Sequence, residues 1–492
     1  MPMVVFRGKT RLREAPGHGM LGGMENDGLP AGARERAMVA IGIGVAMAVL
    51  DGSIANVALP AMARALAVSP AASVWVVNAF QLAVVVGLLP CAALGDIIGF
   101  RHVFVAGLVV FTASSAACAL SPSLGFLITA RAIQGLGCAG MTSINTALLR
   151  FVFPSRHLGR AVGFNAAVVS VSAAAGPSVA AAILAVAPWP MLFAVNVPLG
   201  VVALTMAGAL PRTPLSRQRL DLPSVVLNAA TMLLLIFVLD QFGSPTPLWQ
   251  TAAAALVLLV VGLVFVRRQQ RLAPPLLPVD LLVRPVFALS MGTAICSFAA
   301  QTLAYLALPF VFEAQGASQV ATGLLLTPWP LANAVVAPIA GRLADRVAPG
   351  GLGGAGMLVM ATGLVLVRFL PPGGAPLAIA FCMVLMGAGF GFFQAPNGRL
   401  LLASAPPGRT GAGSGMLATA RLTGQTIGAA LAAVVFRLAQ GAGVVAGGRA
   451  ALTLAAGFAV VAAVFSLLRI GRTVPQPQRA SPAAPHADSP AD

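Results

Sequence analysis

Long apolar runs, each closed by a short polar or basic stretch, recur along almost the whole chain. Fourteen such segments fall near 37–59, 74–94, 103–120, 124–148, 161–186, 191–210, 224–242, 249–266, 287–312, 321–340, 352–370, 377–401, 413–438 and 450–468. Each is long enough to cross a hydrocarbon core roughly 30 Å thick as an α-helix. A helix satisfies its own backbone in lipid, so the pattern predicts an all-α integral membrane protein of 14 transmembrane helices.

Composition strengthens that expectation. The 492 residues are 58% hydrophobic and 9% charged, where a soluble domain carries about a quarter charged. The 53 glycines and 37 prolines are tolerable in lipid, where close neighbours and cavities satisfy the backbone. A net charge of +17 would suit nucleic acid, but the basic residues sort by side. With the N-terminus cytoplasmic, Arg34, Arg36, Arg101, Arg150, Arg212, Arg267, Arg342 and Arg409 share one face. Arg64, Arg368, Arg437 and Arg449 fall on the other. This positive-inside bias explains the charge without nucleic acid. It puts both termini in the cytoplasm and the chain in the cell (inner) membrane. The five cysteines lie inside apolar runs without metal-ligand spacing and read as packing residues. Segment 1–36 reads as a cytoplasmic tail and not a cleavable signal peptide.

The chain also repeats itself. Asn56 to Pro60 (NVALP) returns 249 residues later as Tyr305 to Pro309 (YLALP), and Asp96 returns as Asp345. Gly135, Gly137, Asn145, Gly163 and Gly176 return as Gly387, Gly389, Asn397, Gly415 and Gly428 at an offset of 252. The offset spans eight segments, so both copies enter the membrane with the same polarity. The division expected is a tail (1–36), a six-helix half (37–210), two inserted helices with basic linkers (211–286), a second six-helix half (287–470) and a disordered cytoplasmic tail (471–492).

Leu50-Asp51-Gly52-Ser53-Ile54-Ala55-Asn56-Val57-Ala58-Leu59-Pro60 resembles the first-helix signature of the major facilitator superfamily's fourteen-helix drug:proton antiporter branch. Leu94 to Arg101 (LGDIIGFR) is similar to the superfamily's loop between its second and third helices, departing at Ala92, Ile97 and Phe100. Arg131 to Gly137 (RAIQGLG) resembles its fourth-helix motif. Gly176-Pro177 resembles the core of the antiporter motif, with Ala180 and Ala181 where paired glycines are common. The resemblance covers roughly residues 37–470 and implies two parallel halves with a substrate site between them near mid-membrane.

Three charges sit well inside apolar runs: Asp51, Arg131 and Arg421. An intramembrane ionisable group is expensive and a functional candidate. Asp51 and Arg131 lie at matching depths, about 13 and 12 Å below the outer ends of their helices at 1.5 Å per residue. Their repeat equivalents are Ala300 and Met383, so the pair belongs to one half. Desolvation favours the protonated carboxyl and a guanidinium favours the carboxylate. Two readings stay open: a proton-coupling site, or a static pair joining two helices. For Arg421 the readings are contact with an anionic substrate, neutralisation of helix ends, or hydrogen bonding to carbonyls freed near the surrounding glycines. By resemblance, Asp96 and Arg101 latch the cytoplasmic helix ends, the other reading being a solvated loop turned by Gly99; Gly95 and Asp345 belong to the same conformational motif and its repeat copy, and Gly176 and Pro177 let a helix bend. Asn56, Gln134, Tyr305, Gln394, Asn397 and Gln425 are candidate cavity residues beside Arg421.

The function expected is secondary active transport: proton-coupled efflux of small hydrophobic drugs or metabolites by alternating access. The alternatives are transport of a single metabolite with different coupling or direction, and a non-transporting membrane sensor or scaffold. No paired carboxylates, nucleophile–histidine pairing or phosphate-cradling motif points to an enzyme or an ATP-driven pump. The expected partners are a small-molecule substrate, protons and the lipid bilayer, with no nucleic acid, metal or cofactor and a monomeric chain.

Overall fold

A computed structural model describes residues 28–154, 158–213, 215, 220–241, 246–272, 279–344, 346–371, 375–403 and 410–470. Regular structure there is helical. The first half comprises α1 (Ala31–Ala65), α2 (Pro70–Ser73), α3 (Trp75–Ile98), α4 (Phe100–Ala119), α5 (Leu124–Ser143), α6 (Asn145–Val152), α7 (Leu158–Val186), α8 (Met191–Ala194) and α9 (Asn196–Ala207). Two helices intervene, α10 (Leu222–Gln241) and α11 (Leu248–Arg271). Then follow α12 (Pro285–Ala314), α13 (Gln319–Leu326), α14 (Pro328–Leu343), α15 (Pro349–Phe369), α16 (Pro376–Ala403), α17 (Thr410–Leu438) and α18 (Val444–Leu467).

Every apolar segment of the sequence falls on helix, and the chain is a multi-pass membrane protein. Among the described residues, 12 helices have the length and apolarity of a membrane span. Met191–Ala207 is apolar but shorter and breaks at Val195 into α8 and α9. α17, on the thirteenth predicted segment, stands outside the twelve.

The repeat is visible in local structure. Ser69 and Ser318, 249 residues apart, cap α2 and α13 by accepting from Ala72 N at 3.2 Å and Ala321 N at 3.1 Å. Shortly before them, Ala67 (φ 51°) and Gly316 (φ 92°) make the same left-handed turn at equivalent positions. Small residues carry matching helix contacts. A Cβ on Gly135 would lie 2.4 Å from Phe80 O, and one on Gly387 2.1 Å from Trp329 O. Gly137 and Gly389 likewise abut the backbones of Gly107 and Gly356. Without a hydrophobic force between helices in lipid, such close backbone approach supplies the packing.

The two halves share one continuous core at the ends of α1 and α12, where Leu59, Met62, Leu127 and Phe193 join Leu308, Phe312, Leu326 and Phe436. Arg64 and Glu313 pair there across the halves. Toward the other end, the first half forms its own core around Ala37, Phe104, Leu148 and Leu210, and among the described residues the one buried contribution from the second half is Leu422. α7 bridges the halves at mid-height, with Ser178 Oγ 2.8 Å from Thr327 Oγ1.

α10 and α11 sit at the periphery, turning most of their surface outward, whereas α12 is the most enclosed span. The Arg268 guanidinium forks onto Asp221 at 2.6 and 3.2 Å and clasps the two. Asn228 Nδ2 reaches Val86 O at 3.4 Å and ties α10 to α3.

Candidate functional site

Asp51 and Arg131 meet in the first half, with only 3% and 0% of their surfaces exposed. The Arg131 Nη1 donates to Asp51 Oδ2 and to Gln134 Oε1 at 2.6 Å, while its Nε donates to Val76 O at 3.2 Å. The other carboxylate oxygen, Oδ1, accepts from Gln134 Nε2 at 2.9 Å and Asn196 Nδ2 at 3.1 Å. Gln134 Nε2 also donates to Ser115 Oγ at 2.8 Å. Helices α1, α5 and α9 therefore meet at one carboxylate, with α4 joined through Gln134. The guanidinium lies over the Phe80 ring at 4.2 Å, with Phe193 at 5.3 Å, a geometry that adds cation–π attraction where water is excluded. A buried pair is tolerable only when its remaining lone pairs and protons are satisfied. Here every polar atom is satisfied except Arg131 Nη2.

That free nitrogen belongs to a residue on the wall of a central cavity of about 260 Å³ between the halves. Asp51 is not among the residues on the wall, although its partner Arg131 is. Polar side chains from both halves face the cavity: Asn56 and Gln81 from the first, Gln301, Asn333, Gln394 and Gln425 from the second. Phe80, Phe298, Tyr305 and Phe390 supply aromatic faces. Tyr305 stacks on Trp329 with centroids 4.5 Å apart, and Phe298 meets Phe390 edge-on at 5.2 Å.

Of the residues singled out as cavity candidates, Asn56, Tyr305, Gln394, Arg421 and Gln425 line it. Gln134 and Asn397 do not. Both ends of the Gln134 amide are held in the Asp51 cage. Asn397 lies at the end of the second half near the C-terminus, where its Oδ1 accepts from the buried Arg469 at 2.5 Å and its Nδ2 donates to Ser290 O at 3.3 Å. Gly176 packs on Ser53, and a Cβ there would lie 2.3 Å from the serine's own Cβ. The next residue, Pro177, reaches the cavity wall. Gly95 is covered by Phe100 and Ile144. Gly99, at φ 98°, turns the chain between α3 and α4, and Phe100 N donates to Thr213 Oγ1 at 3.1 Å. Asp96 is exposed and Arg101 half-buried. Neither takes part in the three ion pairs among the described residues. Asp345 lies outside the described residues.

Three features escaped the sequence. Asn196 and Ser115 complete the cage, yet an isolated Asn or Ser in an apolar helix carries no distinctive signal. Phe80 is one of 25 phenylalanines. The Arg64–Glu313 pair could have been found, because the two are 249 residues apart, the offset of the repeat.

The sequence profile of the Major Facilitator Superfamily matches residues 41–429 and 290–491. The chain is 51% identical over 451 residues, 91% of its length and 98% of the relative's, to the uncharacterized transporter YebQ of Escherichia coli. It is 30% identical to the riboflavin transporter RibZ of Clostridioides difficile, over 80% of this chain and 86% of that one. It is also 30% identical to the multidrug resistance protein Stp of Mycobacterium tuberculosis, over 80% and 74%. In three dimensions it resembles the crystal structure of a bacterial homologue of the human lysosomal transporter Spinster, with a TM-score of 0.64 at 15% identity over 89% and 97%. Profile, relatives and fold agree: the chain belongs to the Major Facilitator Superfamily and is a transporter of small molecules, not an enzyme.

Proposed function

We propose that this transporter is a proton-coupled exporter of small, largely apolar molecules, working by alternating access within the fourteen-helix drug:proton antiporter branch. The observation that carries the reading is the caged Asp51–Arg131 pair, confined to one half and set directly behind the cavity wall. The carboxylate is held by one guanidinium and two amide donors. Drawing Arg131 toward the cavity would break that pair. Proton uptake would then be tied to what the cavity holds and to the face it opens toward. The similarity to a multidrug resistance protein supports export. In this reading the proton gradient is the sole energy source, no cofactor takes part, the chain acts as a monomer in the inner membrane, and both termini are cytoplasmic.

A toxicity panel in an efflux-deficient host would first select a transported compound. Purified protein in proteoliposomes would then show that compound driving proton movement, and Asp51→Asn would abolish the coupling. Unchanged proton movement in the variant would reduce Asp51–Arg131 to a static pair. A second reading, transport of one metabolite with different coupling or direction, draws support from the similarity to a riboflavin transporter. Expression that raises rather than lowers the intracellular compound would select it.

A further inference from the structure

Among the described residues, the cavity wall carries two arginines, Arg131 and Arg421, and no aspartate or glutamate. Their situations differ. The Arg131 charge is balanced by Asp51 directly behind it. Arg421 takes part in none of the ion pairs among the described residues, and its Nε, though buried, has no hydrogen-bond partner. The charge presented to the cavity is therefore a positive one, contributed by α17.

Unpaired polar atoms concentrate on the same wall. Asn56 Oδ1, Gln81 Oε1 and Asn333 Oδ1 are buried acceptors without a donor, and Arg131 Nη2 and Arg421 Nε are donors without an acceptor. Buried polar groups are normally paired, and each one left alone is expensive. An occupant with an acceptor for the guanidinium satisfies the charged members of this set, and a hydroxyl or amine elsewhere on the same body would serve the amide oxygens. Aromatic faces stand on opposing sides, Phe80 from the first half and Phe298, Tyr305 and Phe390 from the second. At about 260 Å³ the space lies just under the range for drug-sized ligands, which points to a body of one or two rings.

We infer that the cavity takes small aromatic anions, with a carboxylate or similar acid group on Arg421 and a planar body between the aromatic faces. A guanidinium binds a carboxylate through two parallel charge-assisted hydrogen bonds, and pairing relieves the desolvated charge. A cation of the same size would meet Arg421 with no acid among the described wall residues to offset it, Asp51 being paired with Arg131 and off the wall. This rests on the reading that the central cavity is the substrate site, but it needs neither proton coupling nor export.

The test is equilibrium binding to the purified full-length protein in detergent by calorimetry, with no gradient. Three probes share one ring system and differ in head charge: 2-naphthoate, 2-naphthamide and 2-naphthylmethylammonium. The expected result is naphthoate binding about tenfold tighter than the amide, with the ammonium weakest. Arg421→Gln should bring the acid to within about twofold of the amide, and Arg421→Lys should keep most of the preference. Equal binding of the three heads, no binding by any, or a preference unchanged in Arg421→Gln would overturn the inference. If Arg421→Gln does not fold, the ranking of the three probes on the native protein still decides it. Failure of proton-coupled export would appear separately, in the flux measurement.

Discussion

Gln134 shows how much a single neutral side chain can hold in a membrane interior. Its carbonyl accepts a hydrogen bond from Arg131, and its NH₂ group donates to both Asp51 and Ser115. Gln134→Ala should lower unfolding stability by about 2–3 kcal/mol, since it strips bonds from two buried charges at once. Ser115→Ala, which removes one neutral bond, should cost about 1 kcal/mol. Thermal melts in one detergent would rank them, and equal melting temperatures would show that the network relaxes around the gap. A comparable argument applies to Gly387, where an added methyl would press on the Trp329 carbonyl. Gly387→Ala should cost about 3 kcal/mol, because two helix backbones must separate to admit it. Asp51 and Arg131 were legible in the sequence because a charge inside an apolar run is conspicuous and helix rise converts position into depth. Their partners were not. Val76 contributes a backbone carbonyl, which no residue type advertises, and Asn196 reaches Asp51 only through the packing of α9 on α1.

At the scale of elements, hydropathy located the helices but not their interruptions. The breaks at Val74, Val195 and Thr327 are invisible to hydropathy, because the backbone there keeps right-handed helical angles and the runs they interrupt are apolar overall. The repeat offset, by contrast, mapped directly onto shared caps, turns and glycine contacts, since these depend on residues that fit one backbone geometry. The peripheral pair α10–α11 is held differently, by the Asp221–Arg268 clasp. The Arg268 guanidinium, hydrogen-bonded to Asp221, holds that carboxyl below the usual carboxylate range. A carboxyl with a lowered folded-state pKa adds stability above its unfolded value, roughly 3.9, and loses it as pH falls through the folded value. The clasp should therefore be constant from pH 5 to 8, about the physiological range, and open only in strong acid. Asp221→Asn should raise hydrogen exchange in 222–241 and 248–271 severalfold at neutral pH while leaving 285–314 unchanged. Exchange rising equally in all three segments would mean that the clasp supports the whole bundle.

For the whole molecule, the position of Arg64 and Glu313 is the informative feature. They occupy equivalent sites in the two copies of the repeat, at the ends of α1 and α12, and meet where the halves share one core. Residues related by the repeat can touch only near the axis between the halves, so the ion pair sits where a rocking motion must separate them. Glu313 is enclosed, with 8% of its side chain exposed against 56% for Arg64, and its Oε1 has no partner. When the ends part, water reaches the carboxylate and compensates for the lost arginine, so the pair biases the equilibrium without locking it. Glu313→Gln removes the charge and keeps the shape, and should shift the population toward the form parted at this end. Spin labels on Ala65→Cys and Ala314→Cys, the exposed last residues of α1 and α12, would report it in a background lacking the five native cysteines. The expected outcome is a larger long-distance component in Glu313→Gln and in Arg64→Gln, by a similar amount. The double variant should add little, because either substitution already removes the interaction. If the distance distribution is the same in all three variants and the native protein, the shared apolar core holds this end closed and the ion pair is incidental to the motion.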